Sequence, residues 1–368
     1  MAAVVLKSVY FGIYAVLASV GVLFSAGGRE KTKKAYVFTA FIFLALFTGL
    51  RWETGTDWDS YKQLFDNTVA DTVFHTYHFD LGYVVFNYLV KLVSPDYTVF
   101  LLINSFLAVG LVYYAVVKAE TLLAVNVLVF YTNYFIAHYM GSNRRIIALG
   151  LGLSAILLVY ENKKVKAFIF IMLAFSFHRS ALVLLLAYLI PREKTNIKKM
   201  SVMLGACAVI GVSGVLPEIL RIMLSTAYNA THLYIFNSAL FHVTYAQAEG
   251  LGIQHFIFAC IKRLAFFAVM YFFYRQAQQK NRLYAYLLNV YALAVCLYFL
   301  TVDLGTFSIL TTYFTIVEII IWGLVYQAGS RQNRPVIVAL ITGLCFVQLL
   351  NDFPVFSEMY FPYRSVWT

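Results

Sequence analysis

An all-α, multi-pass membrane fold is the class this sequence predicts, and three observations predict it. Of its 368 residues, 62% are hydrophobic and only 12% charged, with a mean hydropathy of +0.77. A soluble domain of that size could not hide so much apolar surface. Apolar runs near the roughly 20 residues that a bilayer demands recur from one end of the chain to the other. They are too long and too non-alternating for barrel strands, so helices are the economical way to satisfy backbone groups in lipid. The expectation is one membrane domain over residues 1–368. It should hold about 12 transmembrane helices, some segments being re-entrant.

The net charge of +11 invites a nucleic-acid reading. The cations, however, sit in short loops between apolar runs, where they act as topology signals, so no nucleic-acid partner is expected. Cys207, Cys260, Cys296 and Cys345 each lie inside an apolar run with no CxxC pair. They read as small core residues, with neither a disulfide framework nor a zinc site.

Taken in order, the first run (Val4 to Ser25) is long enough to be a retained helix. Arg29, Lys31, Lys33 and Lys34 follow it and mark a cytoplasmic loop. The run Tyr36 to Leu50 then delivers Arg51 to the extracytoplasmic face, where loops are expected near residues 51–80 and 216–252. Three apolar runs (Leu81 to Ser94, Thr98 to Val117, Thr121 to Tyr139) separate Arg51 from Arg144. Three full crossings would put Arg144 inside and Lys163 to Lys166 outside, against the charge rule. One run should therefore dip and return. Leu81 to Ser94 is the candidate, since it is short, carries Asn87 and Lys91, and stops at Pro95. A hairpin between Lys166 and Arg192, with Phe177 to Ser180 at its outward tip, completes the repair. It keeps the cationic loops inside (Arg192 to Lys199, Arg275 to Arg282, Arg331 to Arg334) and gathers Arg51, Arg144 and His178 on one face.

Five groups of residues could carry chemistry. Arg51-Trp52-Glu53-Thr54-Gly55-Thr56-Asp57-Trp58-Asp59-Ser60-Tyr61 sets a cation at a helix end before a glycine turn and paired acids. Such a loop can grip an anion and supply a base, or it is an interfacial arginine with a solvated acidic loop. Arg144 and Arg145 open a helix, where they oppose its dipole; either an anion sits nearby or both side chains snorkel. The guanidinium fork suits phosphate oxygens. His178, beside Arg179, reads either as a neutral base for a sugar hydroxyl or as hydrogen-bonded packing. Lys262 and Arg263 interrupt the run Phe256 to Tyr274. At about 3 kcal/mol each in mid-bilayer, they need a cavity, an interface or an acid such as Asp303. The aromatic segment Leu216 to Gly252 could stack on sugars or lie in the headgroup layer. There is no P-loop, no GxGxxG in a βαβ setting, no HExxH and no nucleophile elbow, so neither a metal nor a cofactor is expected.

Three motifs occur in order: Arg51-x-x-x-Gly55-Thr56-Asp57-x-x-x-Tyr61, Arg144-x-x-Ile147-Ala148 and Ala174-x-x-Phe177-His178-x-Ser180-Ala181. Together with the tail Tyr360-Phe361-Pro362-Tyr363-Arg364, the set resembles the EpsG family of Wzy-like bacterial polysaccharide polymerases. Two departures stand out. Arg145 occupies a position where the family usually has Gln, and Phe307 to Phe314 lacks an expected arginine that Arg263 could replace.

The resemblance implies an integral-membrane glycosyltransferase (GT-C-like) architecture in the bacterial inner membrane. The implied substrate is an oligosaccharide linked to polyprenyl (undecaprenyl) diphosphate, and the implied product is O-antigen or exopolysaccharide grown on the periplasmic face. A chain-length regulator is a candidate partner. On that reading Arg51, Arg144 and Arg145 bind the diphosphate where other enzymes place a metal. His178 or Asp57 takes the acceptor's proton, with Tyr61, Lys262 and Arg263 contacting substrate. Transfer would invert the anomeric carbon in one step. The competing classes are a single-sugar transferase or glycan ligase, a lipid-linked glycan transporter and a structural subunit. The transporter would show inverted repeats, which are not seen.

Overall fold

The computed structural model describes residues 8–74, 79–192, 196–249, 253–301, 304, 307 and 309–367. Asp303 and the side chains of Tyr234, His242 and Tyr245 lie outside the described residues. The chain is all-helical among those residues, apart from one isolated backbone bridge. In chain order the helices begin with α1 (Val9–Ala26), α2 (Glu30–Gly49), α3 (Trp58–Asn67), α4 (Leu81–Val93) and α5 (Tyr97–Lys118). Next come α6 (Ala124–Phe130), which runs into a π-helical segment (Tyr131–Tyr139), then α7 (Asn143–Tyr160) and α8 (Lys164–Phe177). A 3₁₀ segment (Arg179–Leu189) precedes α9 (Ile197–Val212), α10 (Val215–Thr231), α11 (Tyr234–Glu249) and α12 (Ile253–Phe272). The remainder are α13 (Tyr274–Lys280), α14 (Leu283–Leu300), α15 (Ile309–Thr315), α16 (Glu318–Ala328) and α17 (Arg334–Tyr360).

Among the described residues, six stretches are long and apolar enough to cross a bilayer, or seven if the bent pair α9–α10 counts as one. The protein is therefore a multi-pass membrane protein, with fewer unbroken long helices than the expected dozen. The apolar runs do not each become one straight helix. α9 and α10 meet at 66°, with Gly214 in the left-handed region between them. Another run divides into α6 and the π segment, and another into α8 and the 3₁₀ segment. α2 has 20 residues, but its first turns carry Glu30, Lys31, Lys33 and Lys34.

The fold divides into two compact units, residues 1–185 with 318–368, and residues 186–317. In the first, α5 and α7 run parallel. Their starts are joined by the Asn143 amide donating to the Tyr97 hydroxyl at 3.3 Å, and their far ends by Lys118–Glu161 at 3.1 Å. α2 runs against them, with Phe38 and Phe41 edge-on to Tyr113 and Gly49 packed on Leu102. α8 returns from the Glu161–Lys163 turn (2.8 Å) and ends beside the start of α7. The starts of α2 and α8 and the ends of α5 and α7 thus share one end of the unit, and the lysines 31–34, 118 and 163–166 gather there. Arg51, Asp80, Arg144 and His178 lie at the other end.

α4 does not cross. Its first turn is at Asp80, and Lys91 in its last turn donates to the carbonyls of Phe65, Asp66 and Thr68, where α3 finishes. Leu81, Leu89, Leu92 and Val93 are exposed along it, as suits a helix lying in the lipid interface.

The second unit packs α9 against α14, and Gly211 lets the two backbones meet at the Phe299 carbonyl, where any Cβ would collide. Arg263 on α12 lays its guanidinium over the Tyr298 ring at 3.4 Å, and Lys262 approaches the Phe266 ring at 5.8 Å. A cation–π face thus answers part of the cost of a cation within an apolar run. The stretch 216–249 is largely helical: α10 carries the surface pair Glu218–Arg221 at 2.6 Å and Tyr228 edge-on to His232.

Candidate active site

α2 stops at Gly49, and the chain then makes a compact loop with positive φ at Glu53 (44°), Gly55 (105°) and Asp57 (58°). The C-terminal tail closes this loop from above. Trp52 N–H donates to the Arg364 carbonyl at 2.9 Å, Val366 N–H to the Leu50 carbonyl at 3.0 Å, and Gly55 N–H to the Met359 carbonyl at 2.8 Å. Tyr363 stacks on Phe47 at 4.3 Å, and Arg364 pairs with Glu53 at 2.9 Å. The tail motif and the Arg51 motif are therefore two edges of one structure.

Two glycines set how closely this loop meets the start of α7. A Cβ on Gly55 would strike the Met140 carbonyl, and one on Gly141 would strike Thr56. Gly55→Ala adds a backbone clash to an already left-handed φ. It is expected to cost more than about 2 kcal/mol, read as a lower unfolding midpoint in detergent. An unchanged midpoint would mean that the two loops do not interlock as described.

Arg51 is only 1% exposed. One guanidinium nitrogen donates to the Thr48 carbonyl and to its hydroxyl (2.9 Å), and the other terminal nitrogen donates to the Asn143 side-chain carbonyl. Thr48 in turn donates to the Tyr139 carbonyl at 2.8 Å. Arg51 thus lies beneath the site and ties the end of α2 to the start of α7, with its fork turned inward. Tyr61 is also buried. Its hydroxyl meets Arg144, and its ring packs edge-on to Tyr83 at 5.5 Å. Asp57 is exposed at the head of α3, with no capping bond from its side chain.

The polar cluster that does open outward is centred on Asp80. Arg144 Nη1 donates to Asp80 Oδ2 at 2.7 Å, and Arg179 Nε donates to Oδ1 at 2.8 Å. Arg144 also lies over the Phe79 ring at 5.4 Å. Arg145 turns the other way, toward His138 Nδ1 at 3.0 Å and the Ser142 hydroxyl at 3.2 Å. His178 caps α8, where its backbone N–H bonds the Ala174 carbonyl, and its Nδ1 is paired with the Ser180 hydroxyl. Burial pushes the His178 imidazole down to about 3, and the positive field of Arg144, Arg145 and Arg179 adds to the shift. The ring is therefore neutral at physiological pH, with Nε2 as its second nitrogen.

Of the residues singled out from sequence, Arg144 and His178 face this cluster, Tyr61 supports Arg144 from behind, Arg145 turns away to His138 and Ser142, and Arg51 anchors the floor. Lys262 and Arg263 belong to the second unit. Sequence reading missed Asp80, His138 and Ser180 as contributors, and read Arg179 only as a neighbour of His178. Asp80 carried no spacing signal; Ser180 was visible as part of the His178 motif. Among the described residues, no group of three or more His, Cys, Asp or Glu is arranged to hold a metal.

The EpsG family model matches residues 34–365, nearly the whole chain, and the chain belongs to that family. No curated protein and no solved structure matches it.

Proposed function

Since the chain is an EpsG-family protein, and that family includes Wzy-like polymerases, we propose that it polymerises oligosaccharide repeat units carried on polyprenyl diphosphate. The observation that carries this reading is the meeting of Arg144, Arg179 and His178 around Asp80, at the end of the first unit away from the lysines.

An acceptor hydroxyl attacks the anomeric carbon of the donor. The bond from that carbon to the phosphate oxygen breaks, and its electron pair leaves with the diphosphate. The hydroxyl proton passes to His178 Nε2, while Nδ1–H donates to Ser180. Attack from the face opposite the leaving group inverts the configuration. The charge developing on the diphosphate is met by the outward N–H groups of Arg144 and Arg179, fixed in place beforehand. Diphosphate binding also offsets the positive field on His178, so the imidazole becomes a stronger base once substrate is present. The architecture would be of the integral-membrane glycosyltransferase kind.

The test is incubation of purified protein with lipid-linked repeat units in the presence of a chelator. A ladder of products with release of polyprenyl diphosphate is expected. A single added unit would make the protein a ligase or single-step transferase, and a strict divalent-metal requirement would contradict charge neutralisation by arginine.

Two further outcomes follow from the geometry. Because His178 in the free protein is held near 3, kcat/KM should stay level from pH 7.5 down to 5.5. An unperturbed imidazole would lose about 10-fold over that range, and a loss of that size with a midpoint near 6.5 would show that burial and the arginines do not hold His178 down as described. By the positive-inside rule the lysine end faces the cytoplasm of a bacterial inner membrane and the site faces the periplasm. A cysteine replacing Asn162 should then resist a membrane-impermeant thiol reagent in intact cells, while one replacing Asp59 reacts. The reverse pattern inverts the orientation.

A further inference from the structure

Asp80 is the first residue before α4, the helix N-cap position, where an aspartate ordinarily accepts a hydrogen bond from the next turn's N–H groups. Here its carbonyl is engaged by Tyr83 and Val84 N–H, but its side chain makes no capping bond. Both carboxylate oxygens go instead to arginines brought from far along the chain, Arg144 at 2.7 Å and Arg179 at 2.8 Å. The carboxylate is 4% exposed, whereas Arg144 is 27% and Arg179 51% exposed. The acid therefore lies at the bottom and the two cations open above it.

A second observation explains how Asp80 reaches them. Gly82, two residues on, packs so tightly on Ser176 near the end of α8 that a Cβ there would overlap both the Ser176 side chain and its carbonyl. This contact draws the start of α4 against the end of α8, two residues before His178 and three before Arg179. The glycine and the uncapped aspartate serve one arrangement.

We infer that Asp80 is a positioning residue, which yokes Arg144 and Arg179 into a two-pronged anion cradle beside His178. This rests on the functional reading above and deepens it. Each carboxylate oxygen takes one nitrogen from one arginine, so the two partly exposed guanidinium groups are held side by side, where adjacent phosphates can approach both. Unbridged, two like charges this close would repel and splay. The carboxylate removes that repulsion and sets their spacing without touching the substrate.

The experiment compares wild type with Asp80→Asn, Asp80→Glu and Gly82→Ala in lipid nanodiscs. Binding of farnesyl diphosphate and farnesyl monophosphate is measured by titration, and polymer formation from lipid-linked repeat units is followed in parallel. Asp80→Asn is expected to weaken farnesyl diphosphate binding at least about 10-fold and to lower kcat/KM for the repeat unit about 100-fold, as a displacement near 1 Å does at a reacting centre. Monophosphate binding should change much less, so the preference for diphosphate narrows. A merely structural role would not produce that selective loss. Gly82→Ala should shift binding the same way, since it moves the carboxylate without removing it, and Asp80→Glu should recover part of the loss. Where Asp80→Asn fails to fold, Arg179→Lys serves instead: its site is exposed, it keeps the charge and loses the Nε bond, and the same narrowing is expected. Diphosphate binding in these variants equal to wild type, or no binding by wild type, overturns the inference. Wild-type binding that depends on Asp80, with no polymer formed, would leave the cradle standing and sink the polymerase reading instead.

Discussion

Replacing His178 by alanine is expected to lower polymer formation by about 10²- to 10⁴-fold, the usual worth of a positioned proton acceptor. The folded yield should be unaffected. His178 is half-buried at the tip of α8, and the Asp80 bridges to Arg144 and Arg179 do not pass through it. The alanine variant should keep its affinity for farnesyl diphosphate or gain slightly, because the imidazole contributes no standing charge. Product length is the readout, on gels of polymer made by equal amounts of folded protein. Wild-type chain length from the variant would exclude the imidazole and turn attention to Asp57, the exposed carboxylate at the head of α3.

Arg51→Ala should have the second large effect, and of a different kind. The residue looked from sequence like a substrate-binding cation. Its 1% exposure and its bonds to Thr48 and Asn143 make it part of the floor. Removing it strands the Asn143 side-chain carbonyl and the Thr48 backbone carbonyl in a buried setting and leaves a cavity. Each unsatisfied group costs about 1–3 kcal/mol, so a total loss of about 3 kcal/mol or more is expected. The check is the yield of monodisperse protein and its unfolding midpoint in detergent. Arg51→Lys should not rescue it, since a compact ammonium cannot span both partners as a planar fork does. A stable Arg51→Ala protein that fails only in catalysis would return Arg51 to the substrate.

Much of this arrangement was legible in the residues. Composition shows the membrane class, because apolar content at this level has no soluble solution. Lysine placement, set against the awkward run that stops at Pro95, led to Arg51, Arg144 and His178 sharing an end, and the contacts around Asn143 and Asp80 place them together. Helix count was less legible. Hydropathy measures apolar length, and it does not register the bend at Gly214 or the π and 3₁₀ turns that divide a run. Asp80 was not legible at all. Its importance arises from two arginines that are 64 and 99 positions away, and no local spacing encodes such a meeting. Arg51 was found but its direction was not, since a cation at a helix end can turn outward to an anion or inward to carbonyls. Its bonds to Thr48 and Asn143, made across the fold, show which.

The central claim is that a diphosphate sits between Arg144 and Arg179, within reach of His178. Cryo-electron microscopy of the protein in nanodiscs with a polyprenyl diphosphate tests it most directly. The account predicts phosphate density bonded by both guanidinium groups above Asp80, with the sugar-bearing side turned to the imidazole. Density at the lysine end of the first unit, or phosphates that leave Arg144 and Arg179 untouched, would contradict it.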